Sequence, residues 1–197
     1  MENTSEWVVC TFHHPIFSAT KERDNAALRT LWKPIFDKYK VDLVLQSHDH
    51  TYGRTGMEVP DTLVGKKATS TAVDASPIAE RALVTAPVSV LETVANVPNG
   101  VQKLDEKTGT IYVVSVSGTK MYDNSRLPFT KRVAEDTQLY QIIQIDGTRL
   151  RFEARTAIGK RYDAFELRKR SGQINELIEI LPEVPEHLRP LAEVSDQ

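Results

Sequence analysis

The sequence predicts an α/β fold with an antiparallel C-terminal β segment, and three observations carry that prediction. Two short apolar runs, residues 7–11 and 41–45, flank a stretch with helical spacing, so residues 7–45 make a strand–helix–strand unit. Such a unit favours a right-handed crossover between parallel strands. Histidines then gather just past both runs: His13-His14 and His48-Asp49-His50 account for four of the five in the chain. From Thr110 onward the pattern becomes short apolar strands separated by turns.

The elements follow in order. The first strand begins by residue 7. Asp24 is placed to cap a helix in which Leu28, Leu31, Trp32, Ile35, Phe36 and Tyr39 recur at helical spacing. Pro34 falls inside that pattern, has no N–H to give Thr30, and must kink or restart the helix. Residues 41–45 are the second strand. Residues 53–111 contain no aromatic residue and are interrupted by Pro60, Pro77, Pro87 and Pro98, so 55–108 reads as an irregular insertion with a short helix around 78–84. Residues 111–116 form a near-continuous apolar strand ending at Ser117-Gly118. Residues 138–145 and 149–157 make a hairpin about Asp146-Gly147, and residues 160–167 add a third antiparallel strand. After Ser171, residues 171–197 read as a tail separate from the domain of residues 1–170. Ile174, Leu177, Ile178 and Leu181 suggest a short helix there, and Pro182, Pro185 and Pro190 mark a loose end.

Composition narrows the function. The chain has 197 residues, 40% of them hydrophobic, with a net charge of -2. That balance advertises neither nucleic acid nor an anionic membrane as a partner. No apolar run approaches the roughly 20 residues of a membrane span, and the first six residues show no signal-peptide pattern. Cys10 is the only cysteine, lies inside a strand pattern and is expected to be a buried, inert thiol. Imidazole is the commonest metal ligand, and open α/β sheets place ligand sites beyond the carboxyl ends of their strands. His13, His48 and His50 are therefore expected to converge on a metal. If residues 48–50 are extended, His48 and His50 project to the same side. His187, in a proline-rich stretch, carries no such expectation.

The string Trp7-Val8-Val9-Cys10-Thr11-Phe12-His13-His14-Pro15, followed by the helix and then Val41-Asp42-Leu43-Val44-Leu45-Gln46-Ser47-His48-Asp49-His50-Thr51-Tyr52-Gly53-Arg54, resembles the calcineurin-like metallophosphoesterases, most closely their purple acid phosphatase branch. The shared features are a histidine before x-Pro and a Gly-His-x-His that this branch extends to His-x-Tyr-x-Arg. The resemblance implies half of a four-layer α/β/β/α sandwich and hydrolysis of phosphoesters, by default monoesters. It implies a dinuclear centre of Fe, Zn or Mn, in which His13 and His48 hold one ion and His50 the other. Asp49, Tyr52 and Arg54 would support these ligands from behind. His14, and Arg23 or Lys21 in place of the histidine such enzymes often carry, are expected to contact phosphate. Relatives of this kind are commonly exported.

Three departures accompany the resemblance. Ser47 stands where the family has glycine, so a side chain there is expected either to crowd the ions or to force backbone strain. Lys21, Glu22 and Arg23 occupy the stretch where a substrate-facing histidine is often found. The family's early Asp-x-His, Gly-Asp-x-x-Tyr and Gly-Asn-His motifs lie upstream of its His-x-Pro strand, and here six residues precede that strand. The sequence thus reads as the C-terminal half of such an enzyme, expected to meet a missing N-terminal half or to self-associate through an exposed sheet edge. The alternative is a catalytically silent binding module that keeps the scaffold. A zinc hydrolase of the metallo-β-lactamase type fits less well, because Thr51-Tyr52-Gly53 follows His50 where that family has x-Asp-His.

Overall fold

The computed structural model describes residues 6–57, 59, 109–115, 117–125 and 127–190. The first sheet contains β1 (Val9–Phe12), β2 (Leu43–Gln46), β3 (Tyr52–Thr55), β4 (Ile111–Val114) and β5 (Thr130–Ala134), in the order β1-β2-β4-β3-β5. β1, β2 and β4 run parallel, and β3 is antiparallel to both β4 and β5. The second sheet is an antiparallel meander of β6 (Leu139–Asp146), β7 (Arg149–Thr156), β8 (Arg161–Arg168) and β9 (Glu176–Glu179). Helix α1 (Ala26–Lys38) joins β1 to β2 as the sequence predicts.

β2 and β4 are buried on both faces, and their alternating side chains feed two cores. Leu43, Ile111 and Val113 face the second sheet, where Leu150, Phe152, Phe165 and Leu167 meet them. Val44 and Tyr112 face the other way, toward Phe36 of α1, Ile16, Phe17 and Phe129. Helix, sheet and sheet are thus three successive layers of the expected sandwich. The outer face of the second sheet carries ion pairs among Arg151, Glu153 and Arg155 and between Arg168 and Glu166.

Several expectations need correction. Asp24 does not cap α1. It holds buried Arg29 through two contacts of 2.6 and 3.1 Å, and the N-cap position belongs to Asn25, which makes no side-chain cap bond. Pro34 lies inside one continuous helix, without restarting it. The helical spacing at residues 174–181 does not produce a helix, because the open edge of β8 recruits residues 176–179 as β9.

Nor is the proline-rich end loose. Arg132 donates to Val184 O at 2.6 Å, Val133 N to Glu186 at 3.0 Å, and Glu135 N to His187 O at 2.8 Å. These bonds lay residues 184–187 along the outer side of β5. Arg189 then clamps Asp136 and Asp123. The insertion and its expected helix at 78–84 fall outside the described residues. Among the described residues, no helix is long and apolar enough to cross a membrane. Cys10 is only half-buried, not buried as the strand pattern predicts, and what burial it has raises its thiol above the ordinary value.

β3 joins the two sheets through a buried polar network. Tyr52 Oη donates to Asp163 at 2.6 Å, and Arg54 Nε and Nη2 donate to the same carboxylate at 2.6 and 3.0 Å. Arg54 also reaches Glu179 at 2.8 and 3.1 Å. Burial raises Tyr52 well above the ordinary tyrosine value, and the Asp163 charge adds to that.

Candidate metal centre

The parallel register of β1 with β2, Phe12 opposite Gln46, sets the residues after each strand side by side at the carboxyl edge of the sheet. Ser47 N extends the ladder by donating to His13 O at 3.0 Å. The loop after β1 is tied down by α1, since Asn25 Nδ2 donates to Pro15 O at 2.6 Å and Arg29 Nη1 to Ile16 O at 3.1 Å. The chain then reverses sharply at His48, where φ is +60° and Asp49 N donates to Ser47 O at 2.7 Å. The left-handed residue is therefore His48 and not Ser47, which is where the sequence placed the strain. A side chain in that region costs roughly 1–2 kcal/mol, and such strain persists only where the surroundings enforce it.

The reversal turns the His48 imidazole back toward β1. Its Nδ1 lies 3.0 Å from His13 Nε2, one of the two nitrogens donating to the other. The His14 ring tilts against His48 at 4.1 Å between centroids. One ring nitrogen from each of His13, His14 and His48 lies within 4.8 Å of the other two, and among the described residues no carboxylate joins this group. Burial lowers His48 below the ordinary imidazole value, His14 lowers it further, and Asp49 opposes them. The lowered value favours the neutral form, which is the one that ligates.

His50 stands outside this group. Its Nδ1 is 2.7 Å from Lys120 O, and since a carbonyl only accepts, Nδ1 carries the proton and Nε2 the lone pair. Metal-binding histidines commonly have their second nitrogen fixed in this way. Its ring tilts against Tyr122 at 5.0 Å. Asp49 is fully buried, accepts from Ser18 Oγ and pairs with Arg23 at 2.8 Å, so its carboxylate props the turn. Arg23 also lies over the Tyr122 ring at 5.0 Å, at the rim of a cleft of about 290 Å³ lined by Thr20, Lys21, Glu22, Arg23, Tyr122 and Asp123.

Of the residues singled out by sequence, the structure brings His13, His14 and His48 together. It sets His50 and Arg23 nearby on Tyr122 and sends Tyr52 and Arg54 elsewhere. These last two bind Asp163 between the sheets, because side chains of β3 emerge beneath the sheet edge and not at it. His187 is structural, with Nδ1 on Glu135 O at 2.8 Å. Sequence reasoning missed Ser18, Lys120 and Tyr122. Their spacing along the chain carries no motif, since Tyr122 meets His50 only through tertiary packing. The histidine doublet before Pro15 was the available signal that His14 would lie beside His13 and His48.

Donor chemistry fits a borderline cation. Three imidazoles suit zinc, copper, iron or nickel. They do not by themselves suit two ions, because two dications at roughly 3.5–4 Å need anionic ligands between them.

No protein-family model matches the chain. Over 52 residues it is 40% identical to two uncharacterized proteins of Mycobacterium tuberculosis, a match covering 25% of this chain and 10% of theirs. Over 82 residues it is 29% identical to purple acid phosphatase 1 of Ipomoea batatas, covering 39% of this chain and 17% of that protein. A solved purple acid phosphatase from yellow lupin (Lupinus luteus) seeds is similar with a TM-score of 0.48 and 18% identity, over 84% of this chain and 25% of that one. The chain thus spans under a fifth of the length of the curated relatives it matches, and over part of its own length it is similar to purple acid phosphatases.

Proposed function

We propose that this chain supplies the histidine portion of a metal-dependent phosphoester hydrolase acting on phosphomonoesters. The observation that supports it is the convergence of His13 and His48 from two parallel strand ends, with His50 beside them and tautomerically fixed. The similarity to purple acid phosphatase 1 of Ipomoea batatas supports the same reading. His13 and His48 would hold one ion and His50, through Nε2, a second.

Bound Fe, Zn or Mn would supply a Lewis acid and lower the pKa of coordinated water toward neutrality. The chain's own residues do the rest of the positioning. Lys120 O holds the His50 ring, and Asp49 braces the turn that aims His48. Arg23 presents its cation at the rim of the neighbouring cleft, where phosphate oxygens would be received. The anionic ligands between the ions come, in this reading, from polypeptide beyond the described residues, either an N-terminal portion or a second chain.

Turnover of p-nitrophenyl phosphate by the chain with added Fe, Mn or Zn tests the proposal. Metal-dependent turnover abolished by His50→Ala supports it, and metal-dependent turnover that His13→Ala and His50→Ala leave unchanged, or a chain that binds none of these metals, overturns it. The second reading, a silent metal-binding module, is favoured by the commitment of the Asp49 carboxylate to Ser18 and Arg23.

A further inference from the structure

We infer that His13, His14 and His48 form a self-sufficient site for a single divalent cation of zinc-like character, with His14 as the third ligand and His50 outside it. The inference rests on the metal reading above and deepens it: it states what this chain binds by itself, before the anionic ligands that a second ion at His50 requires are supplied, and it adds a ligand to the first ion.

Geometry comes first. A tetrahedral ion with metal–nitrogen bonds of about 2.0–2.1 Å sets its ligand atoms about 3.3 Å apart. The His13 and His48 nitrogens already stand 3.0 Å apart, and the His14 nitrogen lies within 4.8 Å of both. The ring centroids of His13 lie 5.0 Å from His14 and 4.9 Å from His48, so small ring rotations close the triangle. The backbone under the rings is fixed. Gln46 Nε2 reaches His14 O at 3.4 Å, and Asn25 holds the next carbonyl.

Charge and exposure then select the occupant. Three uncharged nitrogens, with no oxygen ligand among the described residues, suit zinc, cobalt or copper and disfavour magnesium or calcium, which want oxygen. One ion avoids the repulsion that two would suffer without a carboxylate between them. His13 is exposed and the other two rings are half-buried, so the fourth position opens to solvent. With neutral ligands the ion keeps its full double charge, and that position takes water or an anion such as phosphate. His50 has no part, since its protonated nitrogen is on Lys120 O and its other nitrogen is not among the three.

Titration of the chain with Co²⁺, read by visible absorption, and with Zn²⁺, read by calorimetry, tests this. We expect one cation per chain, an intense tetrahedral-type Co²⁺ spectrum, and no competition from Mg²⁺. His14→Ala should weaken binding about a hundredfold or more, beyond what losing a mere outer partner costs, and far more than His50→Ala does. His14→Phe keeps a ring against His48 without a donor nitrogen and should behave like His14→Ala, with circular dichroism confirming the fold of each. Wild-type binding in both His14 variants, binding of two cations with one lost in His50→Ala, or no binding at all would overturn the inference. A chain that binds one Zn²⁺ and hydrolyses nothing leaves this inference standing, and one that turns over substrate but binds Zn²⁺ equally well in both His14 variants overturns it without touching the hydrolase proposal.

Discussion

Asp163→Ala should be among the most destabilising single changes available, and its cost can be worked from the contacts. The carboxylate accepts from Tyr52 Oη and twice from Arg54, whose side chain is 3% exposed. Removing one partner of a buried ion pair costs about 3–5 kcal/mol, because the other charge stays desolvated. Glu179, 50% exposed, still reaches Arg54 and pulls the estimate toward the lower figure. The orphaned Tyr52 hydroxyl adds about 1–3 kcal/mol, much of it overlapping. A loss of about 4 kcal/mol is therefore expected, which a slope of about 2 kcal/mol/M turns into a fall of about 2 M in the urea midpoint.

Equilibrium unfolding followed by circular dichroism reads that shift. The double variant Asp163→Leu with Arg54→Met should recover most of the loss, since an apolar replacement for a buried pair is often neutral or better. Cation affinity of the folded Asp163→Ala chain should stay within about twofold of wild type, because the bonds of His13, His48 and His50 involve none of Tyr52, Arg54 and Asp163. A midpoint shift below about 0.5 M, or no recovery in the double variant, would refute the view of Asp163 as the anchor between the sheets.

Three further outcomes are expected. Gly53→Ala should destabilise by about 1–3 kcal/mol in the same unfolding assay, because the added Cβ would meet Ala19 Cβ at 2.7 Å. His48→Gly should leave the metal-free chain about 1 kcal/mol more stable than His48→Ala, since only glycine accepts φ of +60° without strain. For Glu153, burial works to raise the carboxyl, but bonds from Arg151 and Arg155 outweigh it and hold the value below its ordinary 4.5. A depressed carboxylate contributes stability that is present above the unfolded value and is lost as pH falls through the folded one. Thermal midpoints measured from pH 6 downward should therefore drop below about pH 4.5, and Glu153→Gln should flatten that limb.

Long, regular elements were legible in the sequence and short, pairing-dependent ones were not. The strand–helix–strand unit, the hairpin about Gly147 and the third strand of the meander stand where periodicity and turn residues put them. β3 and β5 escaped notice because Tyr-Gly-Arg-Thr and Thr-Lys-Arg-Val-Ala show no clean alternation. They are strands because β4 and each other's edges pair with them. At residues 174–181 the apolar spacing fits a helix, yet four residues beside an unfilled edge gain more from β8 than from one helical turn of their own. The site was legible as far as its imidazoles. His-x-His alternation suggested one common side for His48 and His50, but the left-handed turn at His48 divides them, and no local propensity announces that turn.

The covering of β5 by residues 184–187 leaves the first sheet with unlike borders. One flank is sealed by its own chain. The other, β1, has no neighbour on its far side among the described residues and carries Val9 at 39% exposure. A strand added at that flank, from any source, would bring its side chains next to the imidazoles that follow β1.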